Sequence, residues 1–186
     1  MASKLEIVNI ALARLGESPI QSLTEDSVPA RAVSLLFDSA RRSALRDYNW
    51  SFAIRTGALA RMAALPDELF DFQFAYALPP DCLRALRLRS GGSFLIRYNN
   101  LYTDDGAPVL EYLFDVVDTE KFDSKFTEAF TYKLASELAM TVKGSPDLMA
   151  AMSNAYTALT QSAAAETVRE SHTPLPENPY VEARSC

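Results

Sequence analysis

Glu111, Asp115, Asp118 and Glu120 fall within ten residues of one another, and paired carboxylates are the commonest way to break a sugar bond. A glycosidase needs one carboxyl as acid and a second as base or nucleophile on either side of that bond. These four lie at a strand end and in the loop after it, with no pattern that shapes a pocket around them. Thr103-Asp104-Asp105-Gly106 is oxygen-rich enough to suggest calcium. An EF-hand loop needs further oxygen ligands and a closing glutamate, whereas Pro108 and Val109 follow here, so the motif reads as a turn. Nucleophilic chemistry has less to work with. There is no Gly-x-Ser-x-Gly, and the single histidine, His172, sits in a proline-rich tail far from any Ser or Cys partner. Cys82 and Cys186 make neither a disulfide framework nor a Cys-x-x-Cys, and one histidine with two cysteines does not suit a metal site. The only glycine pair, Gly91-Gly92, lies in a turn and not before a helix, so it cradles no phosphate. The expectation is a protein with no catalytic residue, metal or cofactor.

Charge narrows the partners. The chain carries a net charge of −6 over 186 residues, and its longest basic clusters are Ala40-Arg41-Arg42 and the run Arg84 to Arg89. Gripping DNA through its phosphates takes concentrated Lys and Arg. Touching DNA without holding it does not. No apolar run approaches the roughly 20 residues that cross a bilayer, and residues 1–16 mix Glu6, Asn9 and Arg14 into the apolar stretch. That is an amphipathic helix rather than a signal peptide, so a soluble protein made in the cytosol is expected, with no membrane partner.

The elements that would position these residues follow from period and punctuation. Leu5, Val8, Leu12 and Leu15 predict a helix over 3–15 that Gly16 ends. A second, long helix is capped by Ser27, carries Pro29 in its first turn, and runs to about Tyr48. Its inner face is Val33, Leu36 or Phe37, Ala40, Ala44 and Tyr48. The period then changes. Phe70, Phe72, Phe74, Tyr76 and Leu78 alternate as in a half-buried strand. Three further runs, 83–89, 94–100 and 108–114, are divided by Gly91-Gly92 and Asp104-Asp105-Gly106, which reads as an antiparallel β-meander. Helical spacing returns with Phe122, Phe126, Phe130, Leu134 and Leu138. Gly144 stops that helix, and Ser145-Pro146-Asp147 opens an antiparallel neighbour whose core face is Leu148, Met152, Tyr156, Leu159 and Ala163. The expected class is α+β: a four-helix core from 1–50 and 120–170, a β-rich insert at 51–119, and an extended C-terminal arm at 171–186.

Three features have two readings each. Trp50, the one tryptophan, stands where the second helix hands over to the insert; it is either a core anchor or a ligand platform. Arg84, Arg87 and Arg89 are either a solvated strand face or a basic strip against nucleic acid or an acidic partner. In the arm, Tyr180, Val181 and Arg184 have no local core to join. They belong either to a frayed end or to a segment that orders on a partner.

Taken in order, several stretches resemble the tail tubular protein A and head-to-tail adaptor family of short-tailed phages. A first helix ends in Leu15-Gly16, and Ile20 to Leu23 follow as I-x-S-L. Arg46 precedes Tyr48-Asn49-Trp50, Phe52 and Ala53. The segments "YALPPDCLRAL" and "FDSKFTEAFTYKLASELA" and a tail ending near "EAR" match as well, so the similarity covers nearly the whole chain. In the arm, Pro179-Tyr180 stands where the family pattern has Ser-Trp.

The resemblance implies a structural virion protein of the tail connector, assembled in the host cytoplasm. Copies of it would form a ring, usually of twelve, below the portal protein. Such a ring extends the channel through which double-stranded DNA passes without specific binding, and it offers a platform to the next tail tube or nozzle protein. The helical core would form the ring wall, and the arm, through Pro179, Tyr180, Val181 and Arg184, would reach the portal or a neighbouring subunit. Arg84, Arg87 or Arg89 could line the channel or an interface. Trp50 would lock the long second helix to the insert. Two alternatives stand beside this reading: a tail-associated peptidoglycan-degrading enzyme using a carboxylate pair, and a prophage-derived interaction domain that forms no ring.

Overall fold

The computed structural model of the chain describes residues 2–62 and 72–170, with side chains to residue 164. Over these residues it is an α+β fold with four helices and antiparallel sheets. The residues of the arm, Pro179, Tyr180, Val181 and Arg184 among them, and Phe70 of the alternating stretch lie outside the described residues.

Each helix begins and ends where local chemistry satisfies its free backbone groups. Helix α1, Lys4–Arg14, has a reciprocal cap: the Glu6 amide donates to Ser3 Oγ (3.2 Å) and the Ser3 amide to the Glu6 carboxylate (3.4 Å). Helix α2, Val28–Asp47, is capped by Ser27 and carries proline in its first turn. Helix α3, Ser124–Lys143, starts at Asp123, whose carboxylate accepts from the Phe126 amide at 2.6 Å. It stops at Gly144, whose φ of 61° a residue with a Cβ rarely adopts. Helix α4, Pro146–Glu170, follows at once, with Ser145 Oγ accepting from the Leu148 amide.

All four helices feed one buried cluster, from Ile7, Val8 and Leu12 through Phe37 and Leu45 to Phe126, Phe130 and Leu134. Aromatic rings organise it. Phe126 and Phe130 stack at 5.6 Å, and Phe37 of α2 meets the Phe130 ring edge-on at 5.2 Å. The polar ends of two tyrosines fasten α4 to the end of α2. The Tyr156 hydroxyl donates to the Asp47 carboxylate at 2.9 Å, and the Tyr48 hydroxyl donates to the carbonyl of Ala163.

The segment between α2 and α3 forms two sheets. Strands β1 (Ile54–Ala58), β4 (Cys82–Leu88) and β7 (Val109–Phe114) make one, in the order β1-β7-β4. Strands β2 (Ala60–Arg61), β3 (Phe74–Ala77), β5 (Phe94–Arg97) and β6 (Asn100–Thr103) make the other, in the order β2-β3-β6-β5. A second core of Tyr76, Leu88, Leu101, Leu110 and Tyr112 lies under them, and Phe114 packs against both cores.

This topology corrects the expected meander. The largely apolar strand β7 takes the centre of its sheet, where both edges are covered, and pairs with the first strand of the segment and not with its chain neighbour. The run 94–100 is also not one strand. It breaks at Tyr98 and Asn99, with φ of 49° and 65°, and returns as β6. Positive φ at two successive residues is the geometry of the two-residue hairpin turn that matches strand twist.

Burial, then the facing Asp47 carboxylate, raises the pKa of Tyr156 well above its usual value. The unfolded tyrosine ionises near pH 10 and the folded one does not, so this contribution is intact below about pH 10 and lost as pH rises, by about 1.4 kcal/mol per unit. We expect Tyr156→Phe to cost about 1–2 kcal/mol at neutral pH and to flatten the alkaline limb of a stability–pH curve. An unchanged alkaline limb in urea titrations would contradict the assignment.

Candidate functional site

The four carboxylates that could have made a hydrolytic pair each have a structural partner or stand apart. Asp115 receives both ends of the Arg41 guanidinium, Nη1 and Nη2, the latter at 3.4 Å. Glu111 on β7 faces Arg87 on β4 and accepts two hydrogen bonds from it, both 3.0 Å, a cross-strand pair that also holds the Arg87 proton more firmly. Asp118 accepts from the Glu120 amide at 3.1 Å and begins a short turn of helix, leaving Glu120 as an exposed residue within that turn. The Thr103–Gly106 stretch is a turn: Asp105 accepts from the Ala107 amide and Asp104 from the Gln73 amide. Among the described residues no group of three or more His, Cys, Asp or Glu side chains could hold a metal ion.

Arg41 is the residue that the sequence reading passed over. It is 3 % exposed, on the inner face of α2 between Phe37 and Ala44. Besides Asp115, its Nη1 donates to the backbone carbonyl of Val116 at 2.8 Å, and the Asp38 carboxylate lies 3.6 Å from Nε. A signal was present: Arg41 is four residues after Phe37 and three before Ala44, so helical period alone puts it inside.

The other arginines are largely engaged too. Arg84 donates to the side chain of Asn49, and its Nε is buried without an acceptor. Arg87 is held by Glu111. Arg89, just past β4, is exposed, and no side-chain partner holds it among the described residues. Of the three residues of the basic run, Arg84 and Arg87 are thus engaged within the fold and Arg89 is not. On the opposite edge strand of that sheet Arg55 pairs with Asp81 at 2.6 Å and covers the Phe114 ring at 3.8 Å, while the Tyr112 hydroxyl also donates to Asp81.

Trp50 is 3 % exposed and belongs to the helical cluster. Its indole N–H donates to the carbonyl of Ala44 at 3.0 Å, one of the last carbonyls of α2 without a helical partner. Its ring meets Tyr48 at 5.0 Å and Phe126 of α3 at 5.1 Å, both edge-on. Its ring and hydrogen-bond contacts thus fasten the end of α2 to α3. A further tie between α2 and the β segment is made by Arg41 on Asp115 and Val116, at the exit of β7.

One cleft of about 670 Å³ opens between α1 and α3, lined in part by Glu6, Ile10, Arg14, Phe122, Thr127 and Glu128. Arg14 lies flat over the Tyr132 ring at 3.2 Å, and one of its terminal nitrogens is buried without an acceptor. Burial lowers its pKa, against the opposing pull of Tyr132 and Glu128. Sequence reasoning missed this cleft because its walls come from helices at opposite ends of the chain. Its mixed charge and half-open shape present no aligned nucleophile and base.

A buried guanidinium stripped of its carboxylate is far costlier than an apolar side chain in the same place. We expect Asp115→Ala to destabilise the protein by about 3–5 kcal/mol, and the double change Arg41→Met with Asp115→Ala to be less damaging than the single one. Chemical denaturation of Asp115→Ala, Arg41→Met and the double variant checks this; a double variant as unstable as the sum of its parts would contradict it. No family model matches the chain, and no curated protein matches it, so the functional reading rests on this geometry and on the resemblance of the sequence.

Proposed function

We propose that the chain is a structural head-to-tail adaptor of a phage virion. Copies assemble as a ring, twelve in the family's usual form, below the portal protein. The four helices form the ring wall, and the two sheets form the platform that receives the next tail protein. The arm, residues 171–186, reaches the portal or a neighbouring subunit through Pro179, Tyr180, Val181 and Arg184. Double-stranded DNA passes through without being specifically bound.

The observation that carries this reading is the commitment of the ionisable groups. Arg41, Arg55, Arg84 and Arg87 are spent on holding helices and strands together, and Asp115, Asp81 and Glu111 answer three of them. Such side chains serve rigidity, the property a conduit needs, and among the described residues they form no aligned carboxylate pair for hydrolysis. A net charge of −6 likewise favours a wall along which phosphates slide instead of lodging. A heterologous ring also suits a chain with a helical body and a separate arm, since each subunit must grip a different surface of the next.

Native mass spectrometry of the protein alone, and then mixed with the portal from the same phage genome, tests the proposal. The expected product is a stoichiometric ring on the portal. A chain lacking residues 171–186 should fold with an unchanged melting temperature and lose docking. A full-length protein that ignores the portal would overturn the adaptor reading, and normal docking by the truncated form would overturn the role of the arm.

A further inference from the structure

The turn between β5 and β6 is built at odds with the backbone. Tyr98 has a φ of 49° and Asn99 of 65°, and these are the two residues other than glycine with positive φ among the described residues. Asparagine tolerates the left-handed region because its short side chain bonds locally; tyrosine has no such compensation, and Asn-Gly or Gly-Gly is what a two-residue hairpin turn favours. Nor does the ring recover the cost inside the molecule, for Tyr98 is 87 % exposed. Backbone strain with no internal return points outward, to a contact made with another molecule.

The hairpin is held firmly behind its tip. Leu101 and Tyr102 of β6 are buried, and the Thr103 hydroxyl donates to the Ser93 carbonyl at 2.9 Å, closing the base of the hairpin. The exposed tip is contiguous: Ile96, Arg97, Tyr98 and Asn99. It combines an apolar side chain, an aromatic with a hydroxyl, a cation and an amide on a pre-ordered support. That is the composition of an interface anchor, where Tyr and Arg dominate and little ordering entropy remains to be lost. One arginine is too few to grip a phosphate backbone, and the apolar part of the tip favours protein over nucleic acid.

We propose that the β5–β6 hairpin tip is a plug for a partner protein, with Tyr98 seated in an apolar socket and Arg97 against a carboxylate on its rim. The proposal rests on the adaptor reading, in which the partner is the next tail protein docking on the sheet platform.

The test uses the full chain and its Tyr98→Asn and Arg97→Glu variants, with the portal and the next tail protein encoded in the same phage genome, purified. Binding to each is measured by native mass spectrometry and sedimentation, and unfolding by thermal melts. Tyr98→Asn should melt higher, by roughly 2–4 °C for relief of the turn, and bind the tail protein at least tenfold more weakly, with portal docking unchanged. Arg97→Glu should weaken tail-protein binding without altering the melt. A Tyr98→Asn protein that docks on both partners as the unaltered chain does would overturn the plug and leave the adaptor standing. A lower melting temperature for it would overturn the strain argument. Tyr98-dependent binding to a DNA duplex would replace the protein partner with nucleic acid. If the unaltered chain ignores the portal, the adaptor reading fails, and the plug for a tail protein fails with it.

Discussion

A guanidinium buried to 3 % exposure is stable only while every group it was brought in to meet stays in place, and this is the constraint on which the rest of the molecule hangs. Arg41 carries its charge into the helical layer from α2. There it meets the Asp115 carboxylate and the Val116 carbonyl, two successive residues just after β7. Because β7 is the central strand of its sheet, paired to β1 on one side and β4 on the other, fixing its exit fixes the sheet. Desolvating such a pair makes it a poor source of net stability but a strict selector of geometry: any alternative placement of the strand leaves a bare charge inside. The apolar contacts then act on an arrangement already chosen. Phe114, immediately before Asp115, packs into both cores, and the Asp115 amide donates to the Asp81 carbonyl at 2.8 Å, so the loop before β4 is drawn to the same point.

A second fastening sits at the C-terminal end of α2. A helix that stops inside a protein leaves carbonyls to satisfy, and here Trp50 supplies the donor while its ring presses on Tyr48 and Phe126. Tyr48 and Tyr156 then tie the same region to α4 through their hydroxyls. Aromatic side chains do both tasks because they bring large apolar area together with a single polar handle that can be satisfied at one atom. The end of α2 is therefore held from α3 and α4 at once, while its middle is held from the sheet. A helix pinned in this way leaves little freedom between the helical layer and the sheets it introduces.

What could be read from the sequence was whatever is encoded locally. Ser27 and Ser145 mark helix starts by chemistry acting over three residues, Gly16 and Gly144 mark ends by a backbone angle, and the structure places the helices within a residue or two of those signals. Strand pairing is not local, and the expected meander failed there: nothing near residue 54 announces that its partner is Leu113. The hairpin at Tyr98-Asn99 was hidden for a different reason. Its turn lacks the glycine that normally reveals a positive φ, so an apolar run passed through it without a visible break. Arg41 was passed over, although its spacing from Phe37 and Ala44 placed it within. The cleft between α1 and α3 could not be read at all, since neither helix carries a complete wall.

The pattern of charge pairing bears on what such a molecule can be used for. An enzyme keeps some titratable groups poorly satisfied so that substrate or proton can satisfy them. Here the engaged groups answer each other across elements: Arg41 to Asp115, Arg55 to Asp81, Arg87 to Glu111, Lys143 to Glu17. Exposed members of that set add little stability singly, yet each removes a free charge from the surface and ties two segments together. In a protein with a net charge of −6, each cation paired in this way is one fewer to hold a polyanion. In the adaptor reading, stiffness and indifference to DNA are then one property and not two. The arginines that brace the sheets and the helical layer are the ones that would otherwise catch the phosphates.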